Sequence, residues 1–310
     1  MVSRPGGVAR VDYSWSMDWS AQTRFSDPGR FSTLLDAILP EPEAVSGIAR
    51  NLVAHYAAER DALPAATRGD INLRWVEAQL AVDQDRHHAP LAAPRRLGER
   101  LQGCCRDHSL LSMAMLRHHG RPARSRVGFA GYFSPDHWHD HVVVEVHDGD
   151  RWRRFDPEMT HIDKIYLDMP DGVDDPWISA ARMWAEIRAG RIDPASVGVF
   201  PGSPVGGVWF AQCYVLLELA HRFGDETLLW DGFGEMADPS GPTDEQVALA
   251  DEIASLLLEV DDHPDPRLEE ALEERYRSDP RLHPAARIGT FTPDGELFVV
   301  NLITREVNPA

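Results

Sequence analysis

Apolar residues recur at helical spacing in the first third of the chain. The segments "DPGRFSTLLDAIL" (27–39), "EAVSGIARNLVAHYAAE" (43–59) and "INLRWVEAQLAVDQ" (71–84) set them three and four positions apart, which predicts three short amphipathic helices. Pro90 and Pro94 then interrupt the pattern. The stretch "CRDHSLLSMAMLRHHG" (105–120) is apolar on most faces, the mark of a buried helix. Gly120 stands where a left-handed C-terminal cap belongs, and Pro122 prevents continuation. The period then changes to two. "ARSRVGFAGYF" (123–133), "HVVVEVH" (141–147) and "RWRRFD" (151–156) predict three strands, the last two joined at Asp148-Gly149, a pair that favours a two-residue hairpin turn. Beyond Asp156-Pro157, helices are predicted near 176–189, 206–222, 244–259 and 266–277, and 288–304 reads as a terminal hairpin around Pro293-Asp294-Gly295. Helices and antiparallel strands in separate blocks predict an α+β fold. The expected organisation is a mostly helical region at 1–94, a core at 95–170 and a helical extension at 171–310 ending in the hairpin, all packed as one compact unit.

Composition narrows the functions open to such a fold. The chain has 310 residues, 43% of them hydrophobic, which suits a globular body. No stretch is apolar for long enough to span a bilayer, and the N-terminal twenty residues lack a hydrophobic leader, so a cytoplasmic protein is expected. With 50 acids against 31 bases the net charge is −19. A surface that acidic repels phosphate, so neither nucleic acid nor a membrane is expected as a partner. The three cysteines, Cys104, Cys105 and Cys213, make no disulfide framework and are expected as free thiols, either core filler or chemistry.

The run "DHWHDHVVVEVHDG" (136–149) holds four histidines and four acids in fourteen residues. His137, His139 and His141 alternate, so on one strand they would share a face. The string is similar to the H-x-H-x-D-H pattern of metallo-β-lactamase-like enzymes, but it lacks the spacer before Asp140 and leads into a strand instead of a helix. A zinc site also wants a distant ligand and groups that orient the imidazoles, and no acid here has telling spacing. No metal is expected.

Gly103-Cys104-Cys105-Arg106-Asp107 offers different chemistry. Cys105 opens the buried helix, where free backbone N–H groups and the helix dipole favour a thiolate, and Gly103 leaves room for a tight entry. A nucleophilic cysteine needs a base, and the base needs a group to orient it. A two-residue turn at Asp148-Gly149 sets His147 opposite Asp150. Six positions further out along both strands, His141 then faces Asp156, close enough for the carboxylate to hold the imidazole. Gln102, Trp138 and His139 are candidates for the substrate cleft. The remaining groups have plainer expectations: His108, His118 and His119 on the helix surface or in packing, His137 and His139 in a loop before the strand, Cys104 a buried neighbour, Asp107 a first-turn acid, Cys213 in the core, and Glu145 on the His141 face.

These residues carry a resemblance. Gly103-x-Cys105-x-Asp107 at a helix start resembles the nucleophile motif of the transglutaminase-like superfamily. "HGRPARSRVGFAGYF" looks like its "GxPAR" strand entry, "HVVVEV" is similar to its H-A-W-V-E-V strand, and "RWRRFDPE" resembles its "W-x-x-x-D-P" strand. The motifs stand in family order over roughly residues 95–160; Val142-Val143 replaces Ala-Trp, and Cys104 precedes the nucleophile. The resemblance implies a papain-like core, a helix bearing Cys105 packed on an antiparallel sheet bearing His141 and Asp156. It implies acyl transfer through a thioester on Cys105, without a cofactor, on an amide- or thioester-containing substrate: a peptide, a protein or a small molecule. Two rival expectations stand beside it. One is a binding or scaffold protein on the same fold with a relic triad. The other is a metal-dependent hydrolase built on the histidine run.

Overall fold

The structure is a computed structural model that describes residues 17–159 and 176–310. The boundary expected at 170/171 lies outside the described residues. A 3-10 segment (Gly29–Leu35) takes the place of the first predicted helix. Helix α1 (Pro42–Leu52) stops well short of its predicted end, because Val53–His55 leave it as strand β1 and pair in parallel with β2 (Leu101–Gly103). A second 3-10 run (Ala65–Asn72) and then α2 (Val76–Arg86) replace the third predicted helix. Helix α3 (Cys105–His118) forms as its periodicity predicts and is followed by Gly120 at φ +72°, the left-handed cap.

The central sheet has the order β5-β4-β3-β6, from β3 (Ala123–Ser134), β4 (His137–His147), β5 (Trp152–Phe155) and β6 (Trp177–Ser179), with β7 (Val197–Gly198) running parallel to β4. Strand β4 starts at His137, so His137 and His139 belong to the strand instead of a loop before it. The β4–β5 connection is wider than a two-residue hairpin. His147 pairs with Trp152, and the turn closes with Asp148 N–H donating to Arg151 O at 3.2 Å. The cause is tertiary: the Trp152 ring meets Trp19 at 5.3 Å and lies under the Arg124 guanidinium at 4.2 Å, which fixes where β5 docks. Extended by one step, this register sets Asp156 opposite Val143 and not His141. The slip is two residues, the period of a strand, so Asp156 keeps the face expected of it.

Helix α3 buries Leu110, Leu111 and Met113 in one continuous core with Val127, Val142, Val144 and Val146. Each such side chain is worth about 1.5–3 kcal/mol of burial. The later helices α4 (Ala180–Arg188), α5 (Gly207–Arg222), α6 (Asp244–Asp262) and α7 (Pro266–Ser278) follow their predicted positions closely, except that β6 occupies the start of the first. The expected terminal hairpin, β9 (Arg287–Phe291) with β10 (Leu297–Asn301), is the middle of a four-stranded sheet flanked by β8 (Asp231–Gly232) and β11 (Val307–Pro309). Among the described residues no helix is long and apolar enough to cross a membrane.

Buried ion pairs fasten the C-terminal helices to the sheet. Arg126 on β3 reaches Glu145 on β4 at 2.9 Å, Glu218 on α5 at 2.8 Å and Asp261 on α6 at 2.6 Å. Arg222 on α5 clamps Glu269 on α7 at 2.6 and 2.7 Å and Asp261 at 2.9 Å. Glu145, on the His141 face by alternation, is thus a structural acid, and the arginines beside it hold its carboxyl down at about 2 against the effect of burial. Removing one member strands the others in a dry interior. Arg126→Met is therefore expected to lower the unfolding free energy by about 3–5 kcal/mol, read as a lower urea midpoint with an unchanged slope.

Candidate active site

The site is assembled where β2 runs into α3. Cys104 is extended and Cys105 is the first helical residue. Cys104 N–H donates to Asp107 Oδ2 at 2.9 Å, and Asp107 Oδ1 accepts from Gln79 Nε2 at 2.9 Å and from Arg106 Nη1 at 3.0 Å. Asp107 is thus the first-turn acid expected, and it pins the approach to the helix from outside it as well. A Cβ on Gly103 would lie 2.7 Å from Asp107 Oδ2 and 2.9 Å from Val53 Cγ1, so only glycine lets the carboxylate and β1 close on this corner.

His141 comes from β4. On the side away from β3, this strand pairs with β7 at Trp138 and His139 and with β5 from Val144 to His147. The residues between, 140–143, have no strand partner on that side among the described residues. Helix α3 meets this gap: Ser109, one turn after Cys105, donates its hydroxyl to Val142 O at 3.0 Å. Helix α3 is thereby tied to the residue next to His141. Gly128 pairs with His141 from β3, and Trp177 Nε1 donates to His141 O at 3.2 Å. A Cβ on Gly128 would fall 2.2 Å from Ile178 O, which leaves no room there for a side chain.

Asp156, fully buried, holds the imidazole: His141 Nε2 lies 2.7 Å from Asp156 Oδ2. An ionised carboxylate only accepts, so Nε2 carries a proton, and in the neutral imidazole Nδ1 keeps the lone pair. Tyr132 OH donates to the same oxygen at 2.6 Å, and the N–H groups of Glu158 and Met159 donate to Oδ1 at 2.9 and 3.2 Å. Burial pushes the Asp156 carboxyl up, but the His141 charge and these four donors prevail and hold it below its ordinary value. Burial pulls His141 down, but Asp156, helped by Glu158 and Asp140, prevails and raises it.

Cys105 is buried and departs from the thiolate expected at a helix start. Its hydrogen bond to Cys104 holds the thiol well above the usual range, with burial and the charges of Cys104, Glu158 and Asp140 adding to the effect. These outweigh the helix N-terminus, and the resting group is the thiol. Cys213 is buried, donates to Ala237 O at 3.3 Å and is pushed up to about 12 by burial.

The three candidate cleft residues are placed differently. The Gln102 amide donates to Pro64 O at 2.7 Å and to Thr67 Oγ1 at 2.9 Å, which commits it to the second 3-10 run. Trp138 packs half-buried against the core. His139 Nδ1 lies 2.9 Å from Val199 O and its Nε2 2.9 Å from Ser134 Oγ, so both ring nitrogens are occupied. His137 Nε2 lies 3.2 Å from Gly198 O. Among the other histidines, His108 is buried with Nδ1 on Cys104 O, while His118 and His119 bind Asp36 and Leu35 O. Tyr132, Glu158, and Asp140 with its donor Tyr214 also belong to the site, beyond the residues expected from the sequence. Tyr132 and Tyr214 sit in ordinary apolar patterns, and no local signal marks them.

Residues 54–157 match the model of the transglutaminase-like superfamily. No curated protein matches the chain. Among solved structures, a Cytophaga hutchinsonii protein described as a "Putative Cysteine Protease" aligns at 18% identity over 46% of this chain and 41% of its own, with a TM-score of 0.30. This chain thus spans less than half the length of that relative.

With Asp156 neutralised, burial acts on His141 with far less opposition. Asp156→Asn is expected to lower the His141 pKa, followed by NMR titration of the ring. An unmoved pKa would count against the pair.

Proposed function

We propose that this chain, which carries a transglutaminase-like domain over residues 54–157, is a cysteine-dependent acyl transferase or amide hydrolase with Cys105 as nucleophile, His141 as base and Asp156 as its orienting acid. The observation that carries this reading is the buried His141–Asp156 pair at 2.7 Å, on the strand residue adjoining the one to which α3 is tied. The substrate class is an amide or thioester, in a peptide, a protein or a small molecule.

The chemistry follows from the protonation states. His141 Nδ1 takes the Cys105 proton as sulfur attacks the carbonyl carbon. The C–S bond forms, and the carbonyl π pair moves onto oxygen. The imidazolium, stabilised by Asp156, then gives the proton to the departing amine or thiolate, leaving a thioester on Cys105. Water or an amine, deprotonated by the same nitrogen, attacks the thioester carbon; the C–S bond breaks, the imidazolium returns its proton to the Cys105 sulfur, and an acid or a new amide is released. Asp156 stays ionised throughout, because its four donors favour the charged form.

Cys105→Ala is expected to abolish acyl-enzyme formation with p-nitrophenyl acetate, seen by intact-protein mass spectrometry, and His141→Ala to slow it by about 10²–10⁴-fold. Only the neutral imidazole accepts the thiol proton, and its pKa is raised. Acylation should therefore increase with pH along a limb centred above about 6.5, the ordinary histidine value. A folded Cys105→Ala protein that still forms the adduct would sink the proposal and favour a scaffold role.

A further inference from the structure

A thioester-forming site needs a donor for the carbonyl oxygen that becomes negative during attack, and the Gln102 amide is committed elsewhere. Tyr56 stands in the right part of the fold. It follows β1 directly, and its N–H donates to Gly103 O at 2.9 Å. The parallel register pairs His55 with Gly103, so one step further Tyr56 comes level with Cys104, beside the nucleophile. Its ring is held on two sides, stacked on His55 at 5.3 Å and edge-on to Trp230 at 6.1 Å. His55 is itself fixed: its N–H donates to Glu59 Oε2 at 2.9 Å, and its Nδ1 accepts from Ala58 N–H at 3.1 Å. Tyr56 is half-buried, and its hydroxyl has no hydrogen-bond partner among the described residues. A phenol flanked on two sides, with its hydroxyl unpaired among the described residues, is placed to donate to a bound substrate.

We propose that the Tyr56 hydroxyl is the side-chain donor of the oxyanion hole, acting with the backbone N–H of Cys105. That N–H belongs to the first turn of α3, which no helical carbonyl reaches. As Cys105 sulfur bonds to the carbonyl carbon, the π pair moves onto oxygen, and the Tyr56 O–H shortens its hydrogen bond to that oxygen without giving up the proton. Burial, with the Asp140 charge nearby, pushes the phenol above its ordinary value, so it stays protonated and able to donate. This assignment rests on the acyl-transfer reading above.

The test uses two reactions of the same sulfur in the full-length protein. Acylation by p-nitrophenyl acetate passes through an oxyanion; alkylation by iodoacetamide does not. Tyr56→Phe removes only the hydroxyl and is expected to lower the acylation kcat by about 10²–10³-fold, with KM little changed and the alkylation rate at Cys105 preserved. An unchanged thermal midpoint excludes a folding effect. Equal loss in both reactions would show that Tyr56 acts on the thiol, and no loss in acylation would show that it does nothing; either overturns the assignment alone. Acylation that survives Cys105→Ala would overturn the acyl-transfer reading and this assignment together.

Discussion

The interrupted edge of β4 governs where helix α3 meets the sheet. Between its pairing with β7 and its pairing with β5, the strand leaves residues 140–143 without a strand partner on one side among the described residues, and the start of α3 meets that opening through Ser109 and Val142 O. Backbone groups at a sheet edge must find partners. Here a helix hydroxyl supplies one, and in doing so it sets the distance between helix and strand. The corner before α3 is closed equally tightly by Asp107, which only the missing side chain of Gly103 permits. Both constraints act on the backbone around Cys105 and His141, so their relative position is a property of the scaffold and not of flexible side chains.

The carboxylates around the site have contrasting fates. Asp156 is saturated by four donors and stays charged. Glu145 and Asp261, deeper in the sheet–helix seam, are held low by arginines. Glu218, in the same seam, is pushed up to about 7 because burial outweighs Arg126. The same low-dielectric interior thus lowers the acid beside the imidazole and raises one under the sheet, according to how far donors and neighbouring charges offset burial. The arginine-rich composition is spent inside as well as on the surface: Arg74, Arg106, Arg124, Arg126 and Arg222 are all buried and paired to acids. Part of the acidic excess visible in the sequence is therefore structural.

The elements that were legible are those whose periodicity is long and local. Helix α3, the strands β3 and β5, and the helices α5 to α7 follow from apolar spacing, and the cap at Gly120 follows from its freedom at positive φ. What failed locally failed for tertiary reasons. The segment 43–59 has helical spacing throughout, yet its middle becomes β1 because β2 offers it a parallel partner. The two-residue turn at Asp148-Gly149 gives way to a wider one because Trp152 docks against Trp19 and Arg124. The face of Asp156 survived that error only because a strand repeats every two residues.

By itself, then, the sequence determined the order of helices and strands, the residue at the helix start, and the parity that puts an acid on the histidine's face, since these depend on spacing along the chain. Tertiary structure alone decided the protonation states and the partners: the thiol held by Cys104 and burial, the carboxylate shared by His141 and Tyr132, the Gln102 amide drawn away to Pro64, and the phenol of Tyr56 without a hydrogen-bond partner among the described residues. Those depend on solvent exclusion and on groups far apart in the chain, and no local pattern encodes either.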